Sequence, residues 1–326
     1  MLSPVTNIVG RVIVVEDAQA THTFNTSYPV VETMIRRGIE HLTGRHDPGQ
    51  AWLQLVSSTD VVGIKVYASP GAIIGTRPDV VRAVVRGLLS AGIASDRIII
   101  WDRDRTDLRM AGYFELANRL GVRVESATGH EFDLDTFYDS ALPGSLVYGD
   151  VEFGQKGPGI GRKSYVSKLV SKVITRHIVI APLLNHNAAG TTGCLYGMTM
   201  GAVDNKIRFE RSPRALSEAV PEIMAMPVFF DRLALVISDA LICQYQGESK
   251  NLLHYSKVLN QLRFSKDPVA LDVLALGELE AQRQKAGVPD RKFPRWIYDN
   301  AALLQLGESD PRKIRFEWVE APFERP

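Results

Sequence analysis

The chain predicts an α/β fold, a mostly parallel, doubly wound (Rossmann-like) sheet with helices on both faces and an inserted smaller lobe. Three observations carry that expectation. Residues 61–124 alternate strand, helix, strand, helix, strand, and such alternation needs right-handed crossovers and a parallel sheet. Residues 178–205, IVIAPLLNHNAAGTTGCLYGMTMGAVDN, open as a short β-branched strand and then deliver His186 between Asn185 and Asn187 into a span rich in Gly and Thr. Finally, three apolar strands end in polar residues: residues 97–101 in Asp102, residues 178–181 in Asn185 and His186, and residues 233–237 in Asp239. Lys65 ends or nearly ends a fourth. In a parallel sheet all carboxyl ends share one edge, and open α/β sheets bind their ligands there.

In order along the chain, residues 8–15 read as a strand and residues 28–42 as a helix. That helix has Val30, Met34, Ile35 and Ile39 on one stripe and Gly44 as its stop. Residues 1–60 form an N-terminal strand–helix extension packing on the core, and residues 61–326 form the α/β domain. In residues 61–67, alternation places Val62, Ile64 and Val66 on one face and Gly63, Lys65 and Tyr67 on the other. A loop follows. Thr76 and Asp79 then suggest a short-acid capping box, with Pro78 in the first turn of a helix ending at Gly92. Residues 108–120 predict a helix stopped by Gly121, and residues 122–124 a strand.

Residues 126–163 are irregular, acidic and aromatic, and suggest an inserted subdomain. The glycine-rich, basic stretch 154–164 enters an expected helix at Tyr165, whose start could hold an anion. A flexible hairpin tip is the plainer alternative, and Arg162 between Gly161 and Lys163 excludes a Walker A loop. Residues 212–226 predict a helix broken at Pro221, and residues 244–255 a loop. A helix starts at Asp267 and Pro268 and ends near Gly287. A last helix spans residues 295–304 and a last strand residues 313–319.

Composition narrows the function. Of 326 residues, 45% are apolar and 23% charged, with 38 basic against 37 acidic, a net charge of +1. Nucleic-acid binding therefore loses its usual electrostatic driver. No apolar stretch approaches the ~20 residues of a membrane helix. The segment MLSPVTNIVGRVIVV has no basic region before an apolar core, so no signal peptide is expected and the location expected is cytoplasmic. Two cysteines, Cys194 and Cys243, exclude an internal iron–sulfur cluster, and two buried free thiols are expected ahead of a disulfide. The G-x-G-x-x-G fingerprint after a strand is missing, which speaks against NAD.

The expected constellation is Lys65, His186, Asp102 and Asp239 as catalytic residues, with Tyr67, Asn185, Asn187, Thr191, Thr192 and Asp204 as substrate contacts. Each has a plainer alternative. Lys65 can snorkel to solvent, Asp102 can pair with Arg103 or Arg105, His186 can be a hydrogen-bonded loop histidine, and Asp204 can hold a turn. Asp267 reads as a cap. His22, His130, His177 and His254 have no polar company at ligand spacing.

These stretches bring a resemblance. DVVGIKV followed by TRPDVVRAVVRGLLSAGI, IIIWD, SYVSKLV, the 178–205 stretch, SKDPVALDVLALGELE and LLQLGESDPRKI keep the motif order of the DUF362 family. The resemblance implies its fold and pocket, with no general reaction. Lys65 matches the family's strand lysine, Asp267 and Asp272 match its late acids, and His186 matches the motif histidine if one residue is deleted. Tyr67 stands where the family often has Asn, Asn185 where it often has Lys and Asn187 where it has His. Three functions remain in view. One is an enzyme acting on a small anionic or carbonyl-containing molecule by acid/base chemistry at Lys65 and His186. The second is a divalent-metal-dependent hydrolase or lyase using His186, Asp102 and Asp239. The third is a non-catalytic small-ligand-binding protein.

Overall fold

The computed structural model describes residues 10–288 and 292–320. Its strands are β1 (Arg11–Glu16), β2 (Thr21–His22), β3 (Asn25–Thr26), β4 (Val62–Lys65), β5 (Ile98–Asp102), β6 (Arg123–Ser126), β7 (Phe132–Asp139), β8 (Lys163–Ser167), β9 (Arg176–His186), β10 (Gly190–Thr191), β11 (Leu233–Gln244), β12 (Ser256–Ser265) and β13 (Arg315–Glu320). Its helices are α1 (Tyr28–Thr43), α2 (Pro48–Leu53), α3 (Gly71–Ile74), α4 (Pro78–Ser90), α5 (Arg105–Met110), α6 (Tyr113–Leu120), α7 (Cys194–Ala202), α8 (Ile207–Glu210), α9 (Pro213–Met224), α10 (Pro268–Lys285) and α11 (Trp296–Leu303).

The main sheet runs β13-β1-β12-β11-β9-β4-β5-β6, with β10 paired to β9. From β11 to β6 every neighbouring pair is parallel, while β12 is antiparallel to both β11 and β1. The fold is therefore a mostly parallel, mixed α/β sheet. Strand alternation divides the core in two. Val62, Ile64, Ile98, Ile100, Ile178 and Ile180 pack under α1, α4 and α6. Ile99, Trp101, Val179 and Ala181 face α7, α9 and α10.

Several local expectations need correction. Residues 8 and 9 of the expected first strand lie outside the described residues, and β1 joins the sheet itself, paired with β12 and β13. Strand β9 does not stop at Pro182 but continues to His186. Proline has no N–H to give the ladder, and beyond the Asp239–Pro182 pair the register slips, β11 advancing to Gln244 while β9 advances only to Leu184. The capping box at Thr76 is absent. The Thr76 hydroxyl instead donates to the Ile180 carbonyl at 2.6 Å, and Asp79 accepts from Thr26. The helix expected over residues 108–120 is two, broken where Gly112 takes φ +82°. The glycine-rich stretch at 154–164 enters strand β8 and not a helix, so the dipole that an anion cradle needed is missing. Cys194 and Cys243 are free and buried.

Strands β7 and β8 pair into a small antiparallel sheet. The chain between them is tied down by residues just past α7. Asp204 accepts from the Val151 and Tyr165 N–H groups at 2.8 and 2.6 Å. The Asn205 amide donates to the Gly161 and Lys163 carbonyls, and Arg208 donates to those of Leu142 and Arg162. Among the described residues no helix is long and apolar enough to cross a membrane.

Candidate functional site

The strand order reverses once along the parallel run. From β4 the chain steps outward to β5 and β6, then returns to place β9 on the other side of β4 and continues to β11. The crossovers after β4 and β5 cover one face of the sheet, and those after β9 cover the other. A crevice belongs at the carboxyl ends of the strands where the order switches. Lys65 ends β4, and Asn185 with His186 ends β9.

Lys65 is 2% exposed. Its ammonium donates to the Val66 carbonyl at 2.6 Å and to Asp102 Oδ1 at 2.7 Å. Asp102 is filled from the backbone as well, accepting from Arg103 N–H on Oδ1 and from Ala68 N–H on Oδ2, both at 2.7 Å. Those bonds tie the loops after β4 and β5 together and fix where the charge sits. The Lys65 Nζ lies 5.4 Å from the Trp101 ring centroid and 6.0 Å from that of Tyr67.

Helix α7 closes this space from the other side, and its small residues make the approach possible. A Cβ on Gly201 would sit 2.7 Å from Lys65 Cε. The stretch that reads from sequence as a glycine-rich loop is therefore a buried helix whose glycine admits a lysine. Its ends are held. Asp272 accepts from the N–H groups of Cys194 and Leu195 at 2.7 and 2.9 Å. Arg103 donates to the Met200 and Val203 carbonyls at 3.2 and 2.6 Å. Asp272 is fully buried, and burial raises its carboxyl to about 7 despite the two N–H donors.

Between α7 and the loops after β4 and β5 lies a cavity of about 100 Å³, lined by Lys65, Tyr67, Ser69, Asp102, Asp107, Tyr196 and Lys206 among others. An ammonium has three N–H groups, and the described residues accept two of those on Lys65. The Tyr67 hydroxyl makes no hydrogen bond to a described residue. Burial first, then the charges of Asp102, Glu210 and Glu248, holds the Tyr67 phenol above its usual range, so it is a donor. Across the cavity, Tyr196 and Lys206 both donate to Glu210 Oε1 at 2.8 Å. Burial raises the Asp107 carboxyl above its ordinary value, and Asp104 and Asp102 add to this against a Ser69 hydrogen bond.

Sequence placed Asp107, Tyr196 and Lys206 outside the site. In the sequence Asp107 is one of several charges at residues 102–107, and the phenol and ammonium reach the cavity only because α7 folds back over β4.

The other expected residues fall in different places. His186 packs on Tyr196 at 4.3 Å between ring centroids, so it stands behind one wall of the Lys65 cavity. Its Nδ1 accepts from the Ala189 N–H at 3.1 Å, which fixes the neutral ring with its proton on Nε2. Burial lowers its proton affinity, and Glu248 and Glu210 oppose this only in part. A ring with Nδ1 occupied and Nε2 protonated has no lone pair for a general base, so the acid/base role expected of His186 does not fit. Asp239 is sealed elsewhere, accepting from Arg77 Nη1 at 2.7 Å and from Arg77 N–H at 2.9 Å. Asn185 accepts from the Glu248 N–H at 3.0 Å and Asn187 N–H donates to Glu248 Oε1 at 2.8 Å, so these two hold a loop. Thr191 and Thr192 hydroxyls donate to the Leu184 carbonyl within the β9–β10 turn. Asp204 clamps the inserted lobe, and burial raises its carboxyl to about 6.

Among the described residues no three His, Cys, Asp or Glu side chains come together to hold a metal ion. The expected trio is dispersed by its partners: Asp102 on Lys65, Asp239 on Arg77, and His186 on the Ala189 N–H.

The model of the family described as "Domain of unknown function (DUF362)" matches residues 62–277, from β4 into α10. The chain belongs to the DUF362 family. Both the Lys65–Asp102 pair and the Asp272 clamp of α7 lie inside the DUF362 match. A crystal structure of a Thermotoga maritima protein, a Northeast Structural Genomics Consortium target, is similar at 13% identity and a TM-score of 0.44, over 79% of this chain and 60% of that one. This DUF362 chain thus spans 60% of the length of that protein. No curated protein matches it.

Proposed function

We propose that the protein binds and acts on a small carbonyl-bearing or singly anionic molecule in the cavity at Lys65. The observation that carries this reading is a pair of donors on one cavity that no described residue fills, the third N–H of Lys65 and the Tyr67 hydroxyl. Two donors converging on an oxygen stabilise negative charge that develops there, and they do so best out of water. The cavity walls carry Lys65, Arg103 and Lys206 against Asp102, Asp104 and Asp107, a near balance that suits one small charge and not a polyphosphate. Its 100 Å³ holds only a few heavy atoms.

Asp107 takes the acid/base role in this reading. A carboxyl pushed up by burial carries a proton nearer neutrality than an exposed one does, as a proton-transfer group should. His186 supports the Tyr196 wall as a neutral ring. Among the described residues the metal-dependent alternative has no donor set in its favour.

A thermal-shift screen of small keto acids, aldehydes and monocarboxylates tests the reading. At about 100 times its Kd a ligand stabilises by about 2.7 kcal/mol. The expected hit loses its effect in Lys65→Met/Asp102→Asn, a double variant that avoids leaving one buried charge without the other. A hit of equal size in that variant contradicts the site. The free, buried state of Cys194 and Cys243 supports a reducing, cytoplasmic location, checked by cell fractionation.

A further inference from the structure

We infer that a second binding site, for a multiply charged anion of the phosphate or polycarboxylate kind, lies further along the same sheet edge, beyond the ends of β9 and β11. A cavity of about 350 Å³ opens there, lined by Asn187, Gln246, Glu248, Lys250, Arg283 and Lys292 among others. Among the described residues three cations line it against one carboxylate, and none of the three makes an ion pair with another described residue. Elsewhere in the fold the exposed basic side chains often have carboxylate partners, as Arg36 has Glu40 and Lys168 has Glu131. The one carboxylate here is turned to the chain, Glu248 Oε1 accepting the Asn187 N–H.

The site is built rather than incidental. Arg283 lies over the Phe293 ring at 4.9 Å from its centroid, and the Phe293 N–H is in turn held by Glu280 at 3.3 Å. The loop that carries Lys250 is fixed from inside by Gln244, which is 1% exposed. The Gln244 amide donates to the Glu248 and Lys250 carbonyls at 2.8 and 2.9 Å and accepts from the Leu252 N–H at 3.0 Å. Gly247 takes φ +107° and Glu248 takes φ +53°. A non-glycine residue in that region is strained and persists where its surroundings over-determine it, often at ligand clamps. The Gln246 amide oxygen is buried in the same wall with no hydrogen-bond partner. An orphaned buried polar atom costs stability unless something pairs with it, and a hydroxyl or protonated oxygen on the ligand supplies that pair.

This site explains what Asn185 and Asn187 do. They do not reach the Lys65 cavity. They brace the loop on which Lys250 stands.

The test is independent of the Lys65 reading. Pyrophosphate and citrate are titrated calorimetrically into the full chain at low salt, then into Arg283→Gln, into Lys250→Gln/Lys292→Gln and into Lys65→Met/Asp102→Asn. Lys250 and Lys292 are exposed, so their double variant folds even if Arg283→Gln does not. Each lost charge-assisted hydrogen bond weakens binding by about tenfold or more. The expected result is binding that fades with ionic strength, drops at least tenfold in both cation variants and survives in Lys65→Met/Asp102→Asn. No heat at millimolar anion, equal affinity in Lys250→Gln/Lys292→Gln, or loss confined to the Lys65 variant overturns the inference.

Discussion

Two buried ion pairs sit on this sheet edge, and they have opposite uses. Lys65–Asp102 and Arg77–Asp239 each close at 2.7 Å, and each carboxylate belongs to a parallel strand. Asp239 is sealed, with both oxygens taken by Arg77 and the other end of that guanidinium on the Ile73 carbonyl at 2.7 Å. It latches the start of α4 to β11. Asp102 is equally saturated, but its partner opens onto a cavity with an N–H to spare. A buried, hydrogen-bonded ion pair is thus no sign of a site by itself. Each pair leaves a donor over, and what separates the two is that the spare N–H of Lys65 opens onto a cavity, whereas the unpartnered Nε–H of Arg77 is buried.

Removing one partner of the sealed pair has the largest expected effect. Asp239→Ala leaves Arg77 buried and uncompensated, and urea denaturation should register a loss of about 3–5 kcal/mol. The comparison fails if the cost is below that of an ordinary surface substitution. For the open pair, Lys65→Met/Asp102→Asn removes both charges, and the expected cost is about 1–3 kcal/mol for the backbone N–H groups left short of an acceptor.

Gly201→Ala sharpens the contrast from the other side. The added methyl meets the far end of Lys65, which can shift, while the helix gains about 0.5–1 kcal/mol of propensity. Stability should therefore change little, and affinity for the cavity ligand should fall about tenfold by calorimetry. An unchanged affinity places Lys65 outside the binding space.

The smallest effect concerns His186. Its affinity for a proton is depressed in the fold, so its stabilising contribution is present above its unfolded value near 6.5 and is lost as pH falls below it. At the pH where a free imidazole is half protonated, ring ¹⁵N shifts should show mainly the Nε2–H tautomer. An imidazolium signal there restores His186 as an acid.

The fold was legible because the chain repeats one local signal, a short β-branched run followed by an amphipathic helix. It failed where tertiary context overrode that signal. Pro182 ends a strand by propensity, yet β9 runs on because β10 and β11 both pair with its far end. The partly exposed strand β12 went unseen, since its first half, Ser256–Gln261, lacks a long apolar run. Helix α7 has almost no polar face and two glycines, so its periodicity is mute; burial on all sides makes it a helix.

The site was half legible for a related reason. Lys65 and Asp102 stand on strands, where position follows from order along the sheet. Asp107, Tyr196 and Lys206 depend on how loops and α7 fold back over that edge. Asp239 misled because a strand-ending acid looks the same in sequence whether it meets a ligand or an arginine.

The most direct measurement compares the two pairs on one ligand. With a keto acid or aldehyde found by screening, calorimetry is run on the unaltered chain, on Lys65→Met/Asp102→Asn and on Arg77→Met/Asp239→Asn. Binding should vanish in the first double variant and persist in the second, which is merely less stable. Binding that survives loss of Lys65 and Asp102 but not of Arg77 and Asp239 would contradict that expectation.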